Sequence, residues 1–377
     1  MILSNFGWSN LLGCLLIALA PACATSNVAT SEAGTEHRSI DARTQVANLL
    51  LQAKQHVDSK PAEAAKRLEA AWKLSTQLVD DRIVRAAIAE FPRTHATPIL
   101  KRVALVAEAQ DAFAENAASK VQELLAKKHD AYDLTEARRL LLLSLVQVSA
   151  SPSEAKLALL RVANGGLESA SGRELQNMAR TTAASIDFDQ EKLGDAIRKY
   201  LRVSEESAYW PTARTAISWA QFQLKKYERA IAGLKLLPGG ITGAPDRALL
   251  GAVCLHHLGK VEAARALISN TQSNQKTWFA GNPSASAVLS VIDNETTPPG
   301  VLTAVAWHPP IRLLGREIAA TDELLGSAAS DSIPAIKRYR QKAWQKFESM
   351  VTRKVSGARD AAKIAYEKLT ILAPQLK

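Results

Sequence analysis

Of the 377 residues in this chain, 47% are hydrophobic and only 5% are aromatic, and the formal net charge is +10. Such an apolar content excludes a disordered chain. The scarcity of aromatic residues argues against an all-β domain, which would be richer in them. Three cysteines are too few for a disulfide-dense scaffold. The length allows one extended repeat domain or two to three compact domains.

The N-terminal segment 1–24 predicts a signal peptide. No charged side chain precedes Glu32, and Leu11–Leu19 is an unbroken apolar run. This run is too short to span a bilayer, which needs about 20 residues, but it matches the apolar centre of a secretory signal. Small residues follow and provide cleavage sites that end at Ala22 or Ala24. We therefore expect an exported protein that is periplasmic or associated with the outer membrane.

Cys23 offers a second interpretation of the same segment, as a lipoprotein signal. Bacterial lipoproteins carry a cysteine directly after a short apolar box, usually with leucine three residues before it. Here that position holds Ala20. Lipid attachment at Cys23 and ordinary cleavage without an anchor both remain open. With either processing, Cys254 is the one cysteine in the body of the protein, so no internal disulfide is expected.

The body of the chain predicts an all-α fold. From Asp41 onward, apolar residues recur every three or four positions, as on one face of an α-helix. Proline and glycine fall between these stripes and divide the chain into short helices. No stretch alternates with a period of two, so we expect essentially no sheet. The expected segments are a flexible leader over 25–40, diverged helical repeats over 41–180, regular repeats over 181–271, a helical extension with loops over 272–333 and a basic C-terminal helix over 334–377.

Three segments of the body repeat at a fixed interval. They begin at Leu193, Tyr227 and Val261, which are equally spaced along the chain. Small and large apolar residues follow at the same interval. These are Ala196, Ala230, Ala264, Tyr200, Leu234 and Ile268. Alanine lets two helices approach closely, and the larger residues fill the groove beside it. One helix pair cannot bury its own apolar face, so the pairs are expected to stack into a superhelix.

This region resembles the tetratricopeptide-repeat (TPR) superfamily, in which a helix–turn–helix unit of about 34 residues recurs with the same spacing. Ile217-Ser218, Tyr227 and Ala230 fit one such unit, and Lys225 occupies the position of the turn glycine. The resemblance implies a TPR-like α-solenoid, a helical-repeat superhelix whose concave face binds peptides.

A longer segment, Arg198–Ala220, looks like a helix pair of large exported proteins from myxobacteria and their relatives. Those proteins read roughly Tyr-x-Arg-Val-x-x-x-Ser-x-Tyr-x-Pro before a helix that contains Ser-Trp or Ala-Trp. This resemblance implies export and a scaffolding role, and it implies no activity.

The candidate partner-binding side chains lie on and next to one helix pair of the repeats. They are Trp210, Gln221, Lys225, Lys226 and Arg229. The aromatic residues in and around this pair include Tyr209, Trp219, Phe222 and Tyr227. The alternative interpretation is that these rings fill the groove between neighbouring helix pairs and contact no partner.

Most of the excess positive charge lies in the last helix. Residues 337–377 contain eleven Lys and Arg residues and three acidic residues. The candidates for binding an anionic surface are Lys337, Arg338, Arg340, Lys342, Lys346, Arg353 and Lys354. Lipid head groups and wall polymers of the cell envelope would suit such a row. Nucleic acid would suit it electrostatically as well, but export removes it as a partner. The alternative is a solvated helix face that maintains solubility.

The sequence contains no recognisable catalytic or metal-binding motif. There is no HExxH, no P-loop, no paired-cysteine motif and no GxSxG elbow. His256 and His257 are adjacent, so on a helix they point about 100° apart and cannot share a metal ion. We therefore expect no catalytic residue, no metal and no cofactor.

Two functions fit these patterns. The first is a non-enzymatic scaffold or adaptor in a bacterial cell envelope that binds a partner protein through the concave face of its repeats. The second is a structural envelope protein that holds an anionic wall or lipid surface through the basic C-terminal helix.

Overall fold

The computed structural model describes residues 33–77, 82–126, 132–297, 300–327 and 333–376. All regular elements in these ranges are helices and none is a strand, so the all-α prediction is confirmed for this part of the chain. The predicted signal peptide, its cleavage sites and Cys23 lie outside the described residues.

The helices follow one another with short connections. They are α1 (Ala33–His56), α2 (Pro61–Gln77), α3 (Arg82–Glu90), α4 (Pro98–Ala114), α5 (Ala118–Leu124), α6 (Leu134–Gln147), α7 (Pro152–Ala163), α8 (Ala170–Asp189), α9 (Leu193–Tyr200), α10 (Trp210–Gln223), α11 (Tyr227–Lys235), α12 (Pro245–His257), α13 (Val261–Ser273), α14 (Gln275–Phe279), α15 (Ala285–Asp293), α16 (Val301–Ala306), α17 (Pro309–Ser327) and α18 (Ile333–Leu372). Short 3₁₀ turns occupy Ile241–Gly243 and Ala373–Leu376. No helix in the described ranges has the length and apolarity needed to cross a bilayer.

The start of α1 corrects one expectation. A flexible leader was expected over 25–40, but α1 begins at Ala33, so the end of that segment is helical. No proline interrupts the chain between Ala33 and His56. Alanine, glutamate and arginine in this stretch are good helix formers, so the apolar stripe that follows can extend its helix backward.

The helices form two compact units. The first unit contains the described residues of Met1–Ile186 and Glu317–Ala343, and the second contains those of Asp187–Arg316 and Trp344–Lys377. The helices α8, α17 and α18 therefore have residues in both units.

The core of the first unit joins α1 to α4. Its members include Ala53, Leu68, Trp72, Ile88 and Leu100, each at most 8% exposed. One or two such residues per turn on each helix produce a single apolar face, and four helices bury these faces against one another. This part of the chain was expected to hold diverged helical repeats, and here the structure does supply consecutive helices.

A buried ion pair within α6 also holds the residue that follows α5 in the first unit. The guanidinium of Arg139 donates to both carboxylate oxygens of Glu136, at 2.7 and 2.9 Å, and to the carbonyl oxygen of Leu125 at 2.8 Å. The Glu136 and Arg139 side chains are only 1% and 7% exposed. Such a pair is tolerated in a core because each charge is hydrogen-bonded by its partner.

In the second unit, the repeat interval found in the sequence also separates the starts of three helices. The helices α9, α11 and α13 begin at Leu193, Tyr227 and Val261, the three residues that open the predicted segments. The small residues Ala196, Ala230 and Ala264 are all completely buried. The large residues that follow them, Tyr200, Leu234 and Ile268, are 2% exposed or less. Both sets are therefore buried, as the predicted packing role requires.

The turn before each of these three helices has the same left-handed backbone. Glu191, Lys225 and Gly259 have φ angles of 59°, 60° and 70°, and they too are separated by the repeat interval. Only one of the three is glycine, the residue that adopts this conformation without a steric penalty. A search for turn glycines in the sequence therefore finds only one turn of the three.

At each left-handed turn, the same backbone hydrogen bond ends the preceding helix. The residue after the left-handed position donates its N–H to a carbonyl five residues earlier, as in a Schellman motif. The pairs are Lys192 to Asp187 at 2.8 Å, Lys226 to Gln221 at 2.8 Å and Lys260 to Leu255 at 2.9 Å. These bonds satisfy the last carbonyls of α8, α10 and α12, and they fix the position at which the next helix starts.

The long C-terminal helix predicted over 334–377 is present as α18, followed by a 3₁₀ turn. In the second unit it buries Phe347, Val351 and Leu369, each 2% exposed or less. Arg359 holds a loop of the same unit, because its guanidinium donates to Asn282 Oδ1 at 2.5 Å and to backbone carbonyls next to it.

The recurring turn leads to a matched pair of substitutions. Lys225→Gly removes a left-handed side chain and should stabilise the fold by about 1 kcal/mol. Gly259→Ala should destabilise it by about the same amount. A Cβ at Gly259 has nothing within 4 Å, so the second effect comes from the backbone and not from a clash. Urea unfolding of both variants measures the two changes, and changes of the same sign would contradict the assignment.

Candidate partner-binding surface

Five rings from three consecutive helices form a continuous stack in the second unit. Trp219 and Phe222 of α10 meet edge to face, with centroids 6.1 Å apart and an interplanar angle of 89°. Phe222 lies 5.8 Å from Tyr227 at the start of α11, and 6.1 Å from His257 at the end of α12. Tyr227 and His257 are parallel within 6° at 4.6 Å, and His256 lies 6.0 Å from His257. We refer to these five residues as the ring stack.

The ring stack runs from the core to the surface. Trp219 is 6% exposed, Phe222 and Tyr227 are half-buried, and His256 and His257 are exposed. Trp219 is therefore buried, as is Tyr209 at 1% exposed, which is what the interpretation of space-filling rings requires. That interpretation does not describe the outer rings, which contact solvent along one edge of three helices.

The histidines of the ring stack were the part that sequence reasoning missed. His256 and His257 were considered only as metal ligands, and within the described residues no group of three or more potential ligands is found. A signal was present in the repeat itself, because His256 follows Phe222 by one repeat interval and thus occupies the same position of the next repeat. Equivalent positions of neighbouring repeats lie side by side.

Trp210 and Gln221, the first two candidate groove residues, lie at opposite ends of α10. Eleven residues separate them, or roughly 16 Å along the helix axis. Trp210 Nε1 and Gln221 Oε1 are both buried, and neither has a hydrogen-bond partner among the described residues. The guanidinium of Arg214 lies 5.4 Å from the centre of the Trp210 ring. The indole N–H of Trp210 and the amide oxygen of Gln221 are therefore not presented to a partner.

The three basic candidates do lie next to the ring stack. Lys225 and Lys226 form the turn that precedes Tyr227, and Arg229 follows it by two residues on α11. All three side chains are exposed. Lys260 occupies the corresponding turn one repeat later and is exposed as well. Within the described part of the chain, none of these four cations forms an ion pair.

The basic side chains of α18 differ in their exposure and in their contacts with acidic groups. In the first unit, Lys337 and Arg338 are exposed, but Arg340 donates to both carboxylate oxygens of Asp322. Its hydrogen bond to Asp322 raises the pKa of Arg340 above its ordinary value. Lys342 lies 3.5 Å from the carboxylate of Glu90. Two of the expected anion-binding cations therefore already face acidic groups of their own chain.

The remaining basic candidates belong to the second unit. Arg353 is exposed, whereas Lys346 and Lys354 are half-buried. Lys354 is close enough to His308 to affect its protonation. In this unit, then, the expected row contributes one fully exposed cation, one half-buried lysine, and a second half-buried lysine beside an imidazole.

The one described cysteine is not a reactive thiol. Cys254 is completely buried in α12, and burial raises the pKa of its thiol to about 12. Since the thiolate is the nucleophilic form, this residue is protonated and shielded at neutral pH. It serves as a small apolar side chain at the point where α12 packs on its neighbours.

An open cavity of about 520 Å³ lies in the first unit and is lined by Tyr132, Leu160, Arg161, Asn164 and Gly165. The Tyr132 hydroxyl donates to the carbonyl of Arg161 at 3.2 Å, and burial raises the pKa of this phenol. A Cβ at Gly165 would collide with the Tyr132 hydroxyl oxygen, so the ring is seated directly on the glycine. The lining contains no arrangement of a nucleophile and a base.

Comparison with known proteins adds no function to this geometry. The chain matches no protein-family model, no curated protein and no solved structure. Function therefore has to be inferred from the recurring turns, the ring stack and the cations beside it.

The buried imidazole of His308 predicts a pH effect on stability. Burial, and secondarily the charge of Lys354, lowers the pKa of His308 well below 6.5. As pH falls through 6.5, the unfolded chain therefore takes up a proton that the folded chain refuses, and stability is lost. Asp189 acts in the opposite direction, because burial raises its pKa to about 6 and the folded chain binds that proton first.

Urea unfolding of His308→Gln and of the native chain between about pH 5 and 7.5 separates the two groups. Relative to the native chain, the variant should gain up to about 1.4 kcal/mol for each pH unit below 6.5. A constant difference between His308→Gln and the native chain over this range would contradict the assignment.

Proposed function

We propose that this chain is a non-enzymatic scaffold or adaptor of the bacterial cell envelope, built as a TPR-like α-solenoid that binds a partner protein on its repeats. The observation that carries the proposal is the recurrence of one structural unit at a constant interval. Helix starts, left-handed turns and buried alanines all recur at that interval in the second unit.

Helix contacts support the stacked arrangement. In the second unit each of α9, α10, α11 and α12 contacts the next helix, and α10 also contacts α12. Contacts to the next helix and to the next but one are what stacked helix pairs require, because each pair covers the apolar face of its neighbour. Such an array leaves a continuous surface of equivalent positions, and repeat proteins use surfaces of this kind for binding.

The buried chemistry also favours binding over catalysis. The Cys254 thiol and the His308 imidazole are both held in their uncharged forms by burial. An active site instead tunes such groups toward the operating pH and exposes them to a substrate. The exposed features of the second unit include rings, cations and single apolar side chains such as Leu224 and Leu236.

Site-specific photo-crosslinking in the native envelope tests the adaptor function. A photoreactive amino acid replaces exposed residues of the repeats, namely Leu201, Leu224 or Leu236, and replaces Leu157 of α7 as a control of equal exposure class. The adaptor function requires a discrete crosslinked protein from at least one repeat position and none from Leu157. If all four positions give no crosslink, or the same crosslinks, the chain is not an adaptor of this kind.

The envelope location is tested separately. Mass spectrometry of the mature N-terminus should find cleavage after Ala22, which leaves Cys23 as the first residue, or after Ala24. A palmitate label on Cys23 distinguishes the anchored form. An intact Met1 in the cytosolic fraction would contradict export without affecting the adaptor function.

A further inference from the structure

We infer that the solvent-exposed part of the ring stack, together with the cations beside it, is a docking site for an acidic peptide segment that carries an aromatic anchor. This inference rests on the proposed adaptor function and names the chemistry of its partner. It moves the site from Trp210 and Gln221, whose indole N–H and amide oxygen are buried, to the three helix ends that meet at Phe222, Tyr227 and His257.

The rings supply an apolar platform with a defined shape. Tyr227 and His257 lie parallel at 4.6 Å, and Phe222 closes one end of that pair at 5.8 and 6.1 Å. Trp219, 6% exposed, supports Phe222 from the core, so the platform is backed by packed protein. Leu224, 38% exposed, adds aliphatic surface on the same helix end. Pre-ordered aromatic faces lose little side-chain entropy when a partner ring binds, which makes them effective anchor sites.

The charges around the ring stack indicate that the partner is negatively charged. Lys225, Lys226, Arg229 and Lys260 all lie within three residues of a ring of the stack, and all are exposed. The acidic side chains on these two helix starts are Glu228 and Glu262, and Glu262 is already engaged by Arg265 at 2.8 Å. Four cations against one uncommitted carboxylate give a local positive field, which favours an acidic partner and speeds its association.

A peptide suits this surface better than a polyanion without rings. A polyanion without rings, such as the phosphate of a lipid head group, would use the cations and leave Phe222, Tyr227 and Leu224 uncovered. A peptide that combines carboxylates with one aromatic side chain covers both parts. Lys226 and Lys260 also occupy equivalent turn positions of two successive repeats, which an extended segment can reach together.

Fluorescence anisotropy with the full chain tests the inference. The probe is a fluorescein-labelled peptide of alternating glutamate and serine with one central tryptophan. Two further peptides are its controls, one with each glutamate replaced by lysine and one with the tryptophan replaced by serine. The acidic aromatic peptide should bind, and each control peptide should bind at least about tenfold more weakly.

Variants of the chain assign the binding to the ring stack. Lys226→Glu and Phe222→Ala should each weaken the acidic aromatic peptide by about tenfold. Their matched controls are Lys235→Glu, at the exposed far end of α11, and Phe279→Ala, an aromatic residue 38% exposed on α14. Both controls should leave binding unchanged. Lys226 is exposed, so its substitution keeps the test valid even if Phe222→Ala perturbs folding.

Three outcomes of the peptide-binding experiments would overturn the inference. One is equal binding of the peptides with and without tryptophan. Another is equal weakening by Lys226→Glu and Lys235→Glu, which would show only general attraction. The third is full competition by vesicles of phosphatidylglycerol that also bind the Lys226→Glu variant. Crosslinks to a partner at Leu201 or Leu236 but not at Leu224 would contradict this site and leave the adaptor function standing. If the peptide binds but no crosslink forms in the envelope, the adaptor function is contradicted and this binding site stands.

Discussion

The close approach of helices at Ala196, Ala230 and Ala264 is the constraint on which the second unit depends. Each alanine is completely buried, so its helix lies against neighbouring protein at that point and its methyl group does not contact solvent. A larger side chain there would force the helices apart and disturb the packing on both sides. The bulky residue four positions later fills the groove that this approach leaves, so each small position needs its large companion.

This constraint acts together with the left-handed turns. Because Glu191, Lys225 and Gly259 reverse the chain in the same way, each helix starts at the same distance from the end of the one before it. Equal turns and equal close contacts bring equivalent residues of successive repeats into register. The ring stack is a result of that register, since it brings Phe222 and Tyr227 of one repeat against His257 of the next.

Helix starts, buried alanines and the long last helix could be predicted because apolar periodicity depends on neighbours in the chain. The left-handed backbone at Glu191 and Lys225 could not be predicted from the residue types, although the repeat spacing places Lys225 in a turn. The packing of the helices that these residues join imposes that backbone against their own preference. The same holds for Arg340, which looks like a free surface cation in the sequence. Its partner, Asp322, lies on another helix, so the pairing depends on how two helices pack.

The sequence alone determined that this protein is helical, that part of its second half repeats at a constant interval and that its charge is concentrated near the C-terminus. These properties are local, because hydrophobic periodicity and helix propensity act over a few residues. The tertiary structure decided which side chains are available. It buried Trp210 Nε1 and Gln221 Oε1, and it paired Arg340 with Asp322. It also assembled rings from three helices beside exposed lysines. Exposure depends on the helices that pack around a residue, and no local pattern encodes that environment.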